Sequence, residues 1–300
     1  MTCSIPARQG VAAVLLGILA TSCSSGETSR PGFPRSETTP VADAPFPYAT
    51  AEEVGLDPQR LWRFKERLYA RVLARHLVGA EILVLKDGRI VLHQAMGWAD
   101  IDRQIPLERN SIFPVASMTK PVLGSAVLQL VEQGIIRLDA TAATYLPSFD
   151  NSRSAGITIR QLLTHRSGFA QGAEPDGYRD AASLAEAVTL LGEAGPDFPP
   201  GERFIYSGLN SDVLGAVVEA VTGERVENVL EALILGPLEL EDTHTAFAPD
   251  LPWAPRVPSL YRSWSKGRWE RHWNPLRPHE TNWFSPASGL YGSAFDYARF

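Results

Sequence analysis

Apolar positions along this chain change their period several times, and each change marks a predicted element. Leu61, Phe64, Leu68 and Val72 recur at three-, four- and four-residue steps, the period of a helix that buries one face. Asp57 stands before them as an N-cap and Pro58 suits the first turn. Two short apolar runs follow, Glu81 to Lys86 and Arg89 to Ala95, joined by Asp87-Gly88. That dipeptide is the signature of a two-residue turn between antiparallel strands. Ile82-Leu83-Val84-Leu85 does not alternate, so this strand is expected to be covered on both faces.

Helical spacing returns at Val122, Leu123, Ala126, Val127, Leu130 and Val131, with Gly134 as the stop. Asp139 is expected to cap a short helix ending before Pro147. Thr158 with Gln161, and Ser183 with Glu186, read as capping boxes. Val213 to Val221 predicts a helix ending at Gly223, and Val226 to Ile234 another ending at Gly236. The region from about 111 to 245 is therefore expected to form a helical lobe. Residues 249–288 differ, because Trp253, Trp264, Trp269, Trp273 and Trp283 fall among prolines and arginines. Two readings stand: a lid or wall lining a pocket for an apolar substrate, or a long surface loop pinned by aromatics.

The first residues read as an export signal, residues 1–22. Arg8 gives a thin positive region and Val11 to Ala20 a short apolar run, too short to span a bilayer. Ala20-Thr21-Ser22-Cys23 resembles a bacterial lipobox, which implies cleavage before Cys23, lipidation of its thiol and a membrane-anchored place in the cell envelope or periplasm. A plain secretory peptide is the alternative. Residues 23–48, rich in Ser, Thr, Pro, Gly and Glu, are expected to be a flexible tether, ahead of one folded domain over 49–300.

Composition narrows the function. An apolar fraction of 44% supports a core. The net charge of −6 argues against a nucleic-acid partner. The only cysteines, Cys3 and Cys23, lie in the leader, so no disulfide framework is expected. The six histidines show no metal-ligand spacing, and neither a metal nor a cofactor is expected.

Ser117-Met118-Thr119-Lys120 carries the chemistry. It is an S-x-x-K tetrad at the head of the helix that includes Val122. Near a helix start, residues i and i+3 share a face, so hydroxyl and amine can meet. A serine hydroxyl becomes a good nucleophile when a base takes its proton. Lysine can be that base when burial or positive potential neutralises it, and a helix N-terminus supplies such potential. A second copy of the tetrad, Ser263-Trp264-Ser265-Lys266, has no helical periodicity after it and reads as a surface loop.

The motifs, in order, are Val54-Gly55-Leu56-Asp57, Lys86-Asp87-Gly88-Arg89, Ser117 to Lys120, Leu138-Asp139, Leu162 to Gly168, Phe204-Ile205-Tyr206-Ser207, Gly289-Leu290 and Asp296 to Phe300. Over residues 50 to 300 the chain resembles the serine beta-lactamase and penicillin-binding-protein-like superfamily, in its class C branch with the related carboxylesterases. The resemblance implies an α+β (α/β sandwich) fold, an antiparallel sheet flanked by helices, and a helical lobe. It implies Ser117 as the acylated nucleophile, Lys120 as its activating partner and Tyr206 as proton shuttle. The substrate is expected to be a small ester, amide or beta-lactam. Gly208, Trp283 and Gly289 are candidate substrate-binding residues. Gly208 stands where the family's Y-x-N motif has asparagine, which favours esters over beta-lactams. Asn210 is near, but is expected to project elsewhere. The family's third motif, K-T-G or H-x-G on a later strand, is not found before Phe300. The sequence is therefore expected to be a C-terminally truncated fragment, with an exposed strand edge and little activity. A non-catalytic envelope lipoprotein is the rival expectation.

Overall fold

The structure is a computed structural model that describes residues 12–16, 33–36, 39–265, 268–273, 275 and 282–300. Its elements run β1 (Ala12–Leu16), α1 (Pro58–Leu73), β2 (Gly79–Lys86), β3 (Arg89–Asp100), β4 (Ile105–Pro106), β5 (Ile112–Pro114), α2 (Thr119–Glu132), α3 (Ile159–Leu163), α4 (Leu184–Ala194), α5 (Leu209–Thr222), α6 (Val226–Leu230), β6 (Leu260–Ser265), β7 (Arg268–Trp273), β8 (Tyr291–Ser293) and α7 (Ala294–Arg299). The chain divides into two compact units. One draws on Met1–Phe113, Ala248–Arg277 and Ser293–Arg299, the other on Pro114–Phe247 and Pro278–Gly292, as far as these are described.

In the first unit Asp57 caps α1 by accepting from the backbone N–H groups of Gln59 and Arg60. The helix packs Leu61, Leu68, Tyr69 and Val72 against Ala80, Ile82, Val84, Leu92 and Met96. Phe64 is exposed instead. At 100° per residue it sits roughly 60° from the line through Leu68 and Val72, on the edge of the buried stripe. The hairpin of β2 and β3 turns at Asp87 and Gly88, both at positive φ, as its dipeptide predicts. Leu83 and Ile90 pack with Ala294 of α7 on the face opposite α1, so β2 is covered on both sides.

The sheet runs in the order β1-β2-β3-β4. Residues from the apolar run of the expected leader pair antiparallel with β2, from Ala12 opposite Leu85 to Leu16 opposite Glu81. The edge of β2 expected to lie exposed is thus paired here. Parts of the expected tether are also held. Ser36 N donates to Ala95 O at 3.0 Å, Ile90 N donates to Pro47 O at 2.8 Å, and Arg35 pairs with Glu66 at 2.7 Å. Composition misses this because main-chain groups bond whatever their side chains are, and Phe33 supplies an aromatic anchor beside Trp98. Residues 1–11 and 17–32, with the expected lipidation at Cys23, lie outside the described residues.

Part of the tryptophan-rich stretch is a hairpin of β6 and β7. Leu260 pairs with Trp273, Trp269 Nε1 donates to Arg75 O at 3.0 Å, and Arg271 reaches Asp100 and Asp102 at 2.8 and 2.7 Å. The second tetrad therefore has Ser263 to Ser265 on a strand. Lys266 lies outside the described residues.

The second unit is helical and built around α5, whose residues Leu209 to Val218 are all buried. α2, α3, α4 and α6 all pack on it. Thr158 and Gln161 form the reciprocal capping box of α3, and Ser183 accepts from Glu186 N ahead of α4. Asp139 caps no helix. It holds the Arg160 guanidinium at 2.8 and 3.1 Å. Past α6 the chain makes one π-helical turn, Gly236 N donating to Glu231 O. Beyond the expected lobe, the unit recruits the segment after residue 282, whose Pro286 ring lies against Gly215 of α5.

Candidate active site

All the groups that meet around Ser117 belong to the second unit. Ser117 sits in a tight 3₁₀ turn, Ala116–Met118, that opens into α2. Ala116 adopts a left-handed φ of 47°, a conformation that non-glycine residues hold only when their surroundings impose it. Hydrogen bonds to one residue flank the turn. Val115 N donates to Leu290 O at 2.9 Å, and Leu290 N donates to Thr119 Oγ1 at 3.2 Å.

Lys120 lies one turn along, where the i, i+3 relation brings its amine back over the serine. Its Nζ donates to Ser117 Oγ at 3.0 Å and to Ala287 O at 2.8 Å. The Tyr206 ring stands 5.1 Å from the same Nζ. Tyr206 is 45% exposed, and Phe204, 59% exposed, meets His165 edge-on at 5.8 Å.

His165 backs Tyr206, their rings 4.6 Å apart. Asn210 is buried and turned inward. Its Oδ1 accepts from Ser167 Oγ, and its Nδ2 donates to Ser207 O and faces His165 Nδ1 at 3.1 Å. Ser207 N also points at that ring nitrogen, at 3.4 Å. With donors on Nδ1, the imidazole is neutral and carries its proton on Nε2. Burial and the positive charge of Lys120 hold its pKa below the usual histidine value. Asn210 therefore does not replace the missing amide of the Y-x-N motif. Gly208 is the N-cap of α5, at a φ of −63° open to any residue, and its N–H donates to Gln171 Oε1 at 3.1 Å.

Trp283 is buried, its ring edge-on to Tyr178 at 5.7 Å. Gly289 ends a turn, its N–H donating to Ser285 O at 2.7 Å, and the Phe284 ring fills the space a side chain would need. Both belong to the segment that carries Ala287. The structure thus brings Ser117, Lys120 and Tyr206 together, while Trp283 meets Tyr178 and Gly289 meets Phe284.

Two participants escaped the sequence. One is the Ala287 carbonyl, which no side chain advertises. The other is Asp212, the one acid in the buried stretch Leu209 to Val218 of α5. Its Oδ2 accepts from Tyr178 Oη at 2.8 Å, and its Oδ1 from Ser285 Oγ and Ala287 N, each at 3.2 Å. Burial raises its pKa to about 6, against the opposing pull of these donors and of Lys120.

The Beta-lactamase family model matches residues 64–300. The chain belongs to the Beta-lactamase family, and a named esterase is among its relatives. It is 37% identical to Esterase EstB of Burkholderia gladioli over 185 residues, 56% of this chain and 47% of that protein. It is 31% identical to Protein flp of Staphylococcus aureus (strain NCTC 8325 / PS 47) over 178 residues, 57% of this chain and 35% of that one. Its fold is similar to that of EstCE1, described as a hydrolase with promiscuous acyltransferase activity. The TM-score is 0.69 at 25% identity, covering 80% of this chain and 70% of that one. The chain spans less than half the length of the two curated relatives.

Proposed function

We propose that this chain forms an acyl-enzyme at Ser117 and hydrolyses small esters or amides. The observation that carries the reading is the Ser117 Oγ to Lys120 Nζ separation of 3.0 Å, with the Tyr206 ring 5.1 Å from the same nitrogen. In this scheme the Ser117 proton passes to the basic pair of Lys120 and Tyr206 as Oγ attacks the substrate carbonyl. The tetrahedral intermediate collapses, and the Tyr206 hydroxyl returns a proton to the departing alcohol or amine. Water then attacks the acyl-serine, gives up a proton to the same pair, and releases the acid with Ser117 restored. The test is intact-mass spectrometry of the full chain with a fluorophosphonate. One adduct is expected on the wild type and none on Ser117→Ala. Labelling that persists in Ser117→Ala defeats the assignment.

Esters rank first because Gly208 offers no amide to orient an acylamino group, and because EstB is named an esterase. Beta-lactam hydrolysis and D-aminoacyl peptidase activity are the alternatives within the family. A non-catalytic envelope lipoprotein is the rival from another class. The meeting of Ser117, Lys120 and Tyr206 argues against it, since a binding protein has no use for that chemistry. We further propose export and lipid anchoring at Cys23. Radiolabelled palmitate should enter the wild type and not Cys23→Ala.

A further inference from the structure

We propose that Asp212 is a positioning residue of this site, holding the Ala287 carbonyl where it fixes the Lys120 amine on Ser117. The proposal rests on the serine-hydrolase reading for its kinetic consequences but not for its geometry. A chain of short contacts links the two ends. Asp212 Oδ1 accepts from Ala287 N and Ser285 Oγ at 3.2 Å, Ala287 O accepts from Lys120 Nζ at 2.8 Å, and the same Nζ donates to Ser117 Oγ at 3.0 Å.

The carboxylate is suited to this work. It is buried on α5, the helix on which the second unit is assembled, so its own position is set by the core. Its other oxygen is engaged by Tyr178 Oη at 2.8 Å. All three neighbours donate, so the ionised form satisfies them together. One turn further along, Gly215 has no side chain, and Pro286 occupies the space, 2.3 Å from where a Cβ would stand. Asp212 and Gly215 thus grip the Ser285–Ala287 turn by hydrogen bonds and by shape.

A lysine amine on a flexible stem has many rotamers. Two fixed acceptors, Ser117 Oγ and Ala287 O, select one of them. Without Asp212 the Ala287 N–H and Ser285 hydroxyl lose their acceptor, the turn is free to shift, and Lys120 loses one of its two fixed acceptors. The groups whose charge bears on Asp212 are Tyr178 and Lys120, and Tyr178 is in turn faced by Glu174 and Arg179. Tyr178 is pushed above its usual value by burial and by Asp212, so it stays a neutral donor. The raised pKa of Asp212, about 6, means that the ionised, three-acceptor form is complete only above that pH.

The test compares Asp212→Ala and Asp212→Asn with the wild-type full chain. The measurements are thermal unfolding, the rate of Ser117 labelling by a fluorophosphonate, and kcat and KM for p-nitrophenyl acetate. Asp212→Ala should lower kcat and the labelling rate by about a hundredfold, the size of a misplacement near 1 Å, with KM changed less than about threefold. Asp212→Asn keeps an acceptor for Ala287 N and should recover to within about tenfold of wild type. It should also lack any fall in kcat as pH drops through 6 that the wild type shows. A crystal structure of Asp212→Ala should show Lys120 Nζ and Ala287 O moved apart. If Asp212→Ala melts lower yet keeps wild-type kcat per folded molecule, or keeps the 2.8 Å contact, Asp212 is merely structural and the proposal is overturned. If the wild type itself resists labelling, the serine-hydrolase reading fails, and the crystallographic separation still decides the positioning role.

Discussion

His93 Nε2 lies 2.8 Å from Glu81 Oε1, and neither side chain has any exposed surface. Burial dominates both groups. It drives Glu81 well above the usual carboxylate value and lowers His93 to about 4, where Arg109 adds to the effect. Arg109 and Arg256 pull Glu81 the other way without reversing it. The Phe295 ring closes over His93 at 4.5 Å. The pair is therefore neutral in the folded chain, a protonated Glu81 beside an uncharged imidazole, and holds one proton.

The sign of its pH dependence follows from counting protons. Ordinary values are 4.5 for the acid and 6.5 for the imidazole. Above 6.5 the unfolded pair holds none, so stability falls as pH rises. Below 4.5 it holds two while the folded pair still holds one, so stability falls as pH drops. The pair should therefore contribute most between about pH 4.5 and 6.5. Urea midpoints of the wild type minus those of the double variant Glu81→Gln/His93→Gln, followed across pH 3.5 to 8.5, should peak in that window. A flat difference would show that the pair takes up its protons in the folded chain at the same pH as in the unfolded one.

Tyr206→Phe should separate chemistry from packing at the proposed site. The ring keeps its contacts with His165 and Lys120, and only a hydroxyl on a 45% exposed residue is lost. The melting temperature should hold while kcat for p-nitrophenyl acetate falls by about 10²- to 10⁴-fold, the usual span for a removed acid–base group. Lys120→Met should lose at least as much. Undiminished turnover in Tyr206→Phe would remove it from the proton path.

Local signals in the sequence were strong where one residue decides an element. Asp87-Gly88 could only be a tight turn, and Thr158 with Gln161 is a box whatever surrounds it. The tetrad was legible for the same reason, because i, i+3 geometry is built into a helix start. What was hidden depends on partners far along the chain. Arg271 looks like a surface residue until Asp100 and Asp102 meet it, so the alternation of Trp269, Arg271 and Trp273 did not read as a strand. Asp212 carries no signal in the sequence because its three donors come from residues 178, 285 and 287. Phe64 matched the helical period but fell on the stripe's edge, a distinction that spacing alone does not resolve.

Gly215→Ala tests the grip of α5 on the Ser285–Ala287 turn from the side of shape. The added methyl would stand 2.3 Å from Pro286 Cγ and 2.9 Å from its Cβ, and a proline ring cannot rotate away. Overpacking of this kind typically costs about 1 to 3 kcal/mol, more than the roughly 1 kcal/mol that alanine gains over glycine inside a helix. A net loss of stability is expected, together with slower labelling of Ser117 as the turn is pushed off Lys120. A chain stabilised by Gly215→Ala would mean that Pro286 yields freely and that the turn is not held by shape.

Gly208→Asn addresses the choice of substrate. The position is helical, with φ −63° and ψ −33°, so a side chain brings no backbone strain. Its N–H bond to Gln171 Oε1 uses the main chain and survives the change. The new Cβ would lie 3.3 Å from Ala287 Cβ, close enough that the Ala287 turn must give by a few tenths of an ångström. Because Ala287 O holds Lys120, ester turnover should drop modestly. The asparagine amide would meanwhile add a group that can bind an acylamino side chain, an interaction of about 0.5 to 1.5 kcal/mol. Turnover of a chromogenic cephalosporin relative to p-nitrophenyl acetate should then rise by up to about tenfold. Assaying both substrates on the same preparation, with the melting temperature as a control, gives that ratio directly. An unchanged ratio in a stably folded Gly208→Asn would mean that the absence of this amide does not set the preference, and that discrimination lies elsewhere around Ser117.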